Sequence, residues 1–592
     1  MRVAKVVGAG ARLAAALVHV AAAWLSVVPA AVGAEATPAD APASVAGYAP
    51  HEALRLGQRL YREGIGVDGS AVTAIVAGDA AVDGTTLTCV SCHRRSGIGS
   101  REASVVAWPV TGKELSVPRR RAGAWNPAKQ HEGPGAVERW SLPPRFREMA
   151  DLRPAYTDET LARVLRTGVD SGGRVLNRAM PRFELTERDE AVLLHYLESL
   201  SKELSPGVDD EAIRFATVVT DGVPQADRDA MLAVLQAHVD AHNTQTRPYE
   251  RRAKSGPFYK TERYGAYRKL ALDVWELEGP PDTWRQQLEA RYAQRPVFAL
   301  LGGIAAGSWG PIHAFAEERR LPAILPVTER PVVSETDWYT LYFSKGSYQE
   351  GEAAARFVAR SYPAGKDVRV LQVFRPGTGG EDAARGFRET WGRLGATGLV
   401  SRPLNPGEDA ATALDRDAGQ GSGPAIVVLW LEGEELAEAL RHALAPTDGI
   451  EAAFASWRLA TSDLGGLPEA ARKRLYLTYP YTLPEERERR QTIVDRWLKA
   501  RGISGVSPAV EAQMYFLGWM LPGAIGALRN EFYRDYFLEA FEMMPDQDYA
   551  IPLYHRLSFG PDQRYLSKGC YIVQLSADEA PRLMPASDWV IN

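Results

Sequence analysis

The chain of 592 residues holds only three cysteines: Cys89, Cys92 and Cys570. That scarcity excludes a scaffold stapled by disulfides. Neither sign of charge is in excess, with 69 Lys and Arg against 74 Asp and Glu and a formal net charge of -5. The balance gives no support to a nucleic-acid partner. There is no Walker loop, no GxSxG elbow and no paired metal-ligand motif. Gly377-Thr378-Gly379-Gly380 lacks the Lys-Ser/Thr of a phosphate loop and reads as a turn after a strand. Past the N-terminus no apolar run is long enough to span a membrane. Met514–Leu528 comes nearest, but it is short and contains Pro522, Gly518 and Gly523, which predicts a buried or inter-domain helix.

What is present begins with an export signal. Arg2, Lys5 and Arg12 precede an apolar stretch from Leu13 to Val28, and Val32 and Ala34 suit a cut before Glu35. Residues 1–34 therefore read as a secretory signal peptide, with an uncleaved anchor as the alternative. No transmembrane span is expected in the mature chain, and the expected location is the periplasm. No cysteine follows the apolar run, which argues against lipid anchoring. The length predicts more than one domain. A Pro/Ala-rich spacer, Thr37 to Ala49, leads into a first unit at 47–204. Ser205-Pro206-Gly207-Val208-Asp209-Asp210 reads as a linker, and a second unit spans 211–592.

Cys89-Val90-Ser91-Cys92-His93 is the most informative stretch. Two thiols three apart, followed by an imidazole, form the c-type haem attachment pattern. The thiols add to the haem vinyl groups and the histidine ligates the iron. A low-spin electron carrier usually sets a thioether opposite, which raises the potential. Met180, in Asn177-Arg178-Ala179-Met180-Pro181-Arg182-Phe183, supplies one. Met149 is a rival without the Met-Pro context, His131 is a weak candidate, and His195 reads as a helix residue. Tyr156–Leu161 opens a helix with an acidic first turn, Gly168 ends it, and Leu185–Asp189 opens a closing helix that reaches Tyr196-Leu197.

In this order of elements the first unit resembles the class I cytochrome c family, an all-α fold. Gly57 to Tyr61 match the first helix, which that family packs against the last. The resemblance implies one covalent haem c anchored by Cys89 and Cys92, with His93 and Met180 as axial iron ligands. Two departures are the 25 or so residues between the first helix and Cys89, and the segment Pro118 to Pro144, basic at Arg119-Arg120-Arg121, read as a surface loop, a docking surface or a cover over the haem edge.

From Ile213 apolar strand-like runs alternate with helical stretches. The runs are Ile213–Thr220, Lys269–Leu277, Val297–Ile304, Ala323–Val327, Arg369–Phe374, Ala425–Trp430 and Leu475–Leu477. Such alternation predicts parallel sheets covered on both faces, and the series is long enough for two. Cys570 reads as a small buried residue in a strand, with intermolecular pairing as the alternative. His238 and His242 stand one helical turn apart, but no carboxylate or cysteine motif accompanies them, so a solvated helix face is expected. Thr244–Tyr267, basic and aromatic, reads as a solvated loop, with a dock for an acidic redox partner or for the first unit as the alternative.

Val297–Gly303, the small-residue loop Ile304–Ser308, Leu321–Pro326, Tyr348-Gln349-Glu350-Gly351 and Gly386-Phe387 come in an order that resembles the type I periplasmic binding proteins, specifically the branched-chain amino acid receptors of ABC transporters. The implied fold is two α/β lobes closing on a small ligand. Ser308 and Thr328 fall near positions that capture a ligand carboxylate in that family. Ala306 and Glu329 stand where amino acid binders present hydroxyls, and Glu329 would repel a carboxylate. Tyr348, Trp430, Tyr479 and Tyr481 could instead line a cleft for a less charged ligand. The expectation is a non-enzymatic, exported single-electron carrier with a domain for a small ligand or a partner protein. A periplasmic dehydrogenase is a reasonable redox partner by fold-level association. Two alternatives are an ABC transporter solute receptor that carries a haem, and an assembly module of a redox complex without a ligand.

Overall fold

Helix signals in the sequence translate directly into the N-terminal unit. The computed structural model describes residues 44–591 except 78, 103–104, 121–150, 256–267, 363–368, 419–424, 446–449, 461–463, 545–550, 561 and 579. The leader, His131 and Met149 lie outside the described residues. Pro50–Glu63 is a helix with proline in its first turn and Gly64 at φ 69° as its stop. Asp158–Thr167 opens on a capping box between Thr157 and Thr160 and ends at Gly168 at φ 72°. Glu187–Ser199 opens on a second box, Thr186 with Asp189. The buried Asp189 also accepts the Val67 N–H at 2.7 Å, which ties the loop after the first helix to the last helix.

The first and last helices cross closely. A Cβ built on Gly57 would stand 2.1 Å from the Val192 carbonyl oxygen, so only glycine permits this approach. Tyr61 packs on Tyr196 with ring centroids 5.3 Å apart. The unit is not all-helical, contrary to expectation. Thr73–Ile75 pairs antiparallel with Ala81–Asp83 and with Arg182–Glu184. The extra residues before Cys89 thus form a hairpin that braces the chain just past Met180.

The linker is not a free tether. The Ser205 N–H donates to the Phe532 carbonyl at 3.0 Å, and Gly207, at φ 89°, lies against the Val297–Phe298 backbone. The chain then enters a five-stranded parallel sheet ordered Thr340–Leu341, Ala323–Ile324, Ala299–Leu301, Ala212–Thr220, Lys269–Leu277. A second sheet runs Leu399–Pro403, Arg369–Phe374, Ala425–Trp430, Ile450–Ser456, Leu475–Tyr479 in parallel. Gly569–Leu575, Leu583–Pro585 and Val590–Ile591 complete it in antiparallel sense. Helices cover both sheets, which makes two lobes. Cys570 is fully buried in the returning strand, as read from the sequence.

Pro508–Leu528 is a helix that packs on Gln225–Ser255, and with Arg534–Glu542 it joins the first lobe's core. Among the described residues no helix is long and apolar enough to cross a membrane. The helix Gln225–Ser255 runs through 244–255 of the stretch read as a solvated loop, whose remainder, 256–267, is outside the described residues. His238 stacks on Trp497 with centroids 4.6 Å apart, and burial pulls it down to about 4. His242 bonds the Arg268 carbonyl at 3.1 Å. Both histidines are packed into the fold rather than carried on the solvated face the sequence suggested. Among the described residues no three His, Cys, Asp or Glu converge as a metal site.

Candidate functional site

Cys89–His93 forms one short helix that Arg94 ends at φ 65°. Around it the fold leaves a cavity of about 320 Å³ lined by Cys89, Cys92, His93 and Met180. Leu161, Leu165, Phe183, Leu193 and Leu197 make much of the remaining wall apolar. The structure therefore brings all four sequence-predicted groups to one crevice, although Met180 lies 87 positions beyond His93. The Met180 N–H donates to the Asn177 carbonyl at 3.0 Å, which fixes the loop that presents the thioether.

His93 Nδ1 lies 2.8 Å from the Trp108 carbonyl oxygen. A proton on Nδ1 satisfies that contact and leaves Nε2 as the basic nitrogen, the usual arrangement of an iron-ligating histidine. Burial lowers the His93 pKa, which favours the neutral ligand form. Burial pushes the Cys89 thiol up to about 12 and raises Cys92 as well. Arg119, Arg153 and Arg174 line the same cavity. Arg119 donates to the Pro109 carbonyl at 3.1 Å and sits 4.8 Å over Trp108, while Arg174 pairs with the buried Asp170 at 2.7 Å. The basic segment after Pro118 therefore begins at the crevice wall. An apolar slot with two thiols, an oriented imidazole, a thioether and three guanidinium groups suits a covalently attached haem with its two carboxylates.

Between the two α/β lobes lies a second arrangement. Ser308 Oγ accepts from Gly310 N–H and Thr328 Oγ1 from Arg330 N–H, each at 3.1 Å, so both hydroxyls serve their own turns. Tyr348 and Trp430 do not line the cleft as expected. Trp430 is fully buried under the second sheet, and Tyr348 is 4% exposed with its hydroxyl donating to Glu389. Tyr479 is also core. The residues that bridge the lobes are charged. Arg330, after the strand Ala323–Ile324, reaches Asp382 at 3.2 Å and the Gly377 carbonyl at 2.8 Å. Beside it Glu329 pairs with Arg458, which follows the strand Ile450–Ser456.

The family model for periplasmic binding proteins matches residues 265–580, more than half of the chain. The chain belongs to the periplasmic binding protein family. Comparison with curated proteins gives no match. Among solved structures, a putative branched-chain amino acid ABC transporter protein from Rhodospirillum rubrum is 15% identical, with 63% of this chain and 100% of that one covered and a TM-score of 0.44. A fatty acid ABC transporter substrate-binding protein from Thermomonospora curvata is 15% identical over 66% of this chain and 95% of that one, TM-score 0.40. A branched-chain amino acid ABC transporter protein from Thermus thermophilus with bound valine is 14% identical over 64% and 97%, TM-score 0.42.

This periplasmic binding protein holds its N-terminal unit against its first lobe through the helix Arg534–Glu542. Glu539 accepts the Ser96 N–H at 2.9 Å and the Ser96 hydroxyl. Arg62 pairs with Asp535 at 3.4 Å and Lys113 with Glu531 at 2.9 Å. Arg95 lies 3.9 Å over Trp338, and Arg564 stacks on the same indole at 3.7 Å. Sequence reasoning missed Glu539, because a glutamate in a helix reads as solvated. Burial pushes its carboxyl up to about 8, against the lowering effect of Ser96 and with Asp535 and Glu542 adding to the rise. An unfolded glutamate ionises near 4.3, so between those values the folded state binds the extra proton. Stability therefore falls as pH rises from about 4.5 to 8, by at most about 1.4 kcal/mol per pH unit from this group. Glu539→Gln removes that slope, which denaturant unfolding at several pH values measures. An unchanged slope in the variant contradicts the assignment.

Proposed function

We propose that this chain is an exported binding protein that carries one c-type haem as a single-electron carrier. Its two lobes select a small ligand or a partner protein. The observation that supports the haem reading is the convergence of Cys89, Cys92, His93 and Met180 on one apolar crevice. The haem, when bound, supplies one-electron transfer. Cys89 and Cys92 would anchor it, His93 and Met180 would supply a nitrogen and a sulfur ligand to its iron, and the Trp108 carbonyl keeps the imidazole oriented. A haem ligated by both residues would transfer electrons rather than bind a substrate. Leu161, Leu165 and Phe183 give the crevice an apolar wall. A periplasmic dehydrogenase is the proposed redox partner. The family favours a second reading, in which the chain is an ABC transporter solute receptor that also carries the haem.

Met180→Ala tests the ligation. The near-infrared methionine-to-iron charge-transfer band of the oxidised protein is lost while covalent attachment persists. Retention of the band removes Met180 as a ligand.

A further inference from the structure

Arg458 is built into the second lobe. Its Nε donates to Glu350 Oε1 at 3.0 Å and its Nη2 to Ser347 Oγ. Glu350 is fully buried and also accepts from Ser456 Oγ at 2.6 Å and Thr478 Oγ1 at 2.7 Å. Two groups of one lobe, Glu350 and Ser347, thus hold the guanidinium, Ser456 and Thr478 hold Glu350 in turn, and the Arg458 side chain is only 13% exposed. The remaining Nη1 faces Glu329, which belongs to the other lobe and whose side chain is 68% exposed. One carboxylate on this arginine is therefore structural, and the other is held only from the solvent side.

We propose that Arg458 is an anion anchor of the inter-lobe cleft, that Glu329 is its tethered occupant, and that the ligand is a small carboxylate that displaces Glu329. The proposal rests on the reading that the cleft takes a small ligand, and it adds the ligand's charge. It also reverses the inference from sequence that Glu329 merely repels a carboxylate. A side chain on a short loop acts as a competitor at high effective concentration, while an exposed ion pair is a weak contact. A ligand carboxylate can replace the exposed Glu329 without uncovering Glu350. Arg330, paired across the cleft with Asp382, keeps the lobes apposed during the exchange.

Sodium acetate, the smallest carboxylate, is the probe, titrated into the full-length protein at constant ionic strength against sodium chloride. Glu329→Ala removes the competitor. Its melting temperature rises with acetate, and half the rise comes at a lower concentration than in the unchanged protein, by up to about fivefold, the most an exposed ion pair is usually worth. Adding Arg458→Gln abolishes the response. Because that change leaves Glu350 buried without its guanidinium, Arg458→Gln with Glu350→Gln serves as the folded control. Equal half-points in the unchanged protein and Glu329→Ala overturn the proposal. So does a response that survives loss of Arg458, or no response in Glu329→Ala. The visible haem spectrum stays constant throughout, so failure of the haem reading would be seen separately. A positive response with acetate but no cleft occupancy by any larger solute would leave the anchor standing and refute the receptor reading.

Discussion

Serine at both Cys89 and Cys92, in a strain with a working haem maturation system, yields a full-length chain without covalent haem. Among the described residues that line the crevice, Cys89 and Cys92 alone carry thiols. His93 and Met180 then hold haem only by coordination, and it is lost during denaturing purification. The structural consequence is large. An unfilled cavity costs about 24 cal/mol per Å³, so the 320 Å³ crevice sets an upper bound near 8 kcal/mol. That approaches the whole stability of a small domain. The N-terminal unit of the double variant should show native-like far-ultraviolet circular dichroism, lost near-ultraviolet signal and dye binding to exposed apolar surface. The two α/β lobes should keep their own transition, shifted only by the loss of the docking contacts of Ser96, Arg62 and Lys113. A double variant that still migrates with bound pigment after denaturation would contradict the attachment.

Gly57→Val carries the second large effect. The substitution places a branched carbon where the Val192 carbonyl oxygen stands 2.1 Å away and the Tyr196 Cβ 2.7 Å away. The first contact is with backbone, which cannot rotate aside, so the helices Pro50–Glu63 and Glu187–Ser199 must separate. Overpacking costs about 1–3 kcal/mol where side chains can yield, and this site lies at or above the top of that range. The helix Glu187–Ser199 carries Leu193 and Leu197 on the crevice wall. Separation therefore loosens the crevice wall as well as the unit. Denaturant unfolding of the full chain, followed by a haem-sensitive absorbance, reads the loss. Gly57→Val with unchanged stability would refute the close crossing.

Local chemistry explains which parts of the fold could be read from sequence. Lys269–Leu277, Arg369–Phe374 and Ala425–Trp430 match the structure residue for residue, because buried parallel strands carry uninterrupted apolar runs. Thr157 and Thr186 open helices with caps whose spacing is visible in the sequence. Ile450–Ser456, rich in alanine, gave no strand signal and is assigned only by pairing between Ala425–Trp430 and Leu475–Tyr479. The haem motif is local at Cys89–His93, and the Met-Pro pair extends it.

The cleft was read poorly. Aromatics at Tyr348 and Trp430 suggested a ligand wall, yet one is locked in helix packing and the other fills the sheet core. The bridging pair, Glu329 with Arg458, joins loops 129 positions apart and has no motif. Its one available signal is position, since both residues lie just past the carboxyl ends of parallel strands, where α/β folds place their sites. The contact of Glu539 with Ser96 spans 443 positions and depends wholly on how the first unit docks. No periodicity encodes such a contact.

The most direct measurement is the intact mass of the full-length mature protein, taken after acid-acetone extraction under denaturing conditions. The account predicts a chain heavier by one haem, with the added mass on the peptide that contains Cys89 and Cys92. A polypeptide of bare sequence mass, with the pigment in the acetone or no pigment at all, would contradict it.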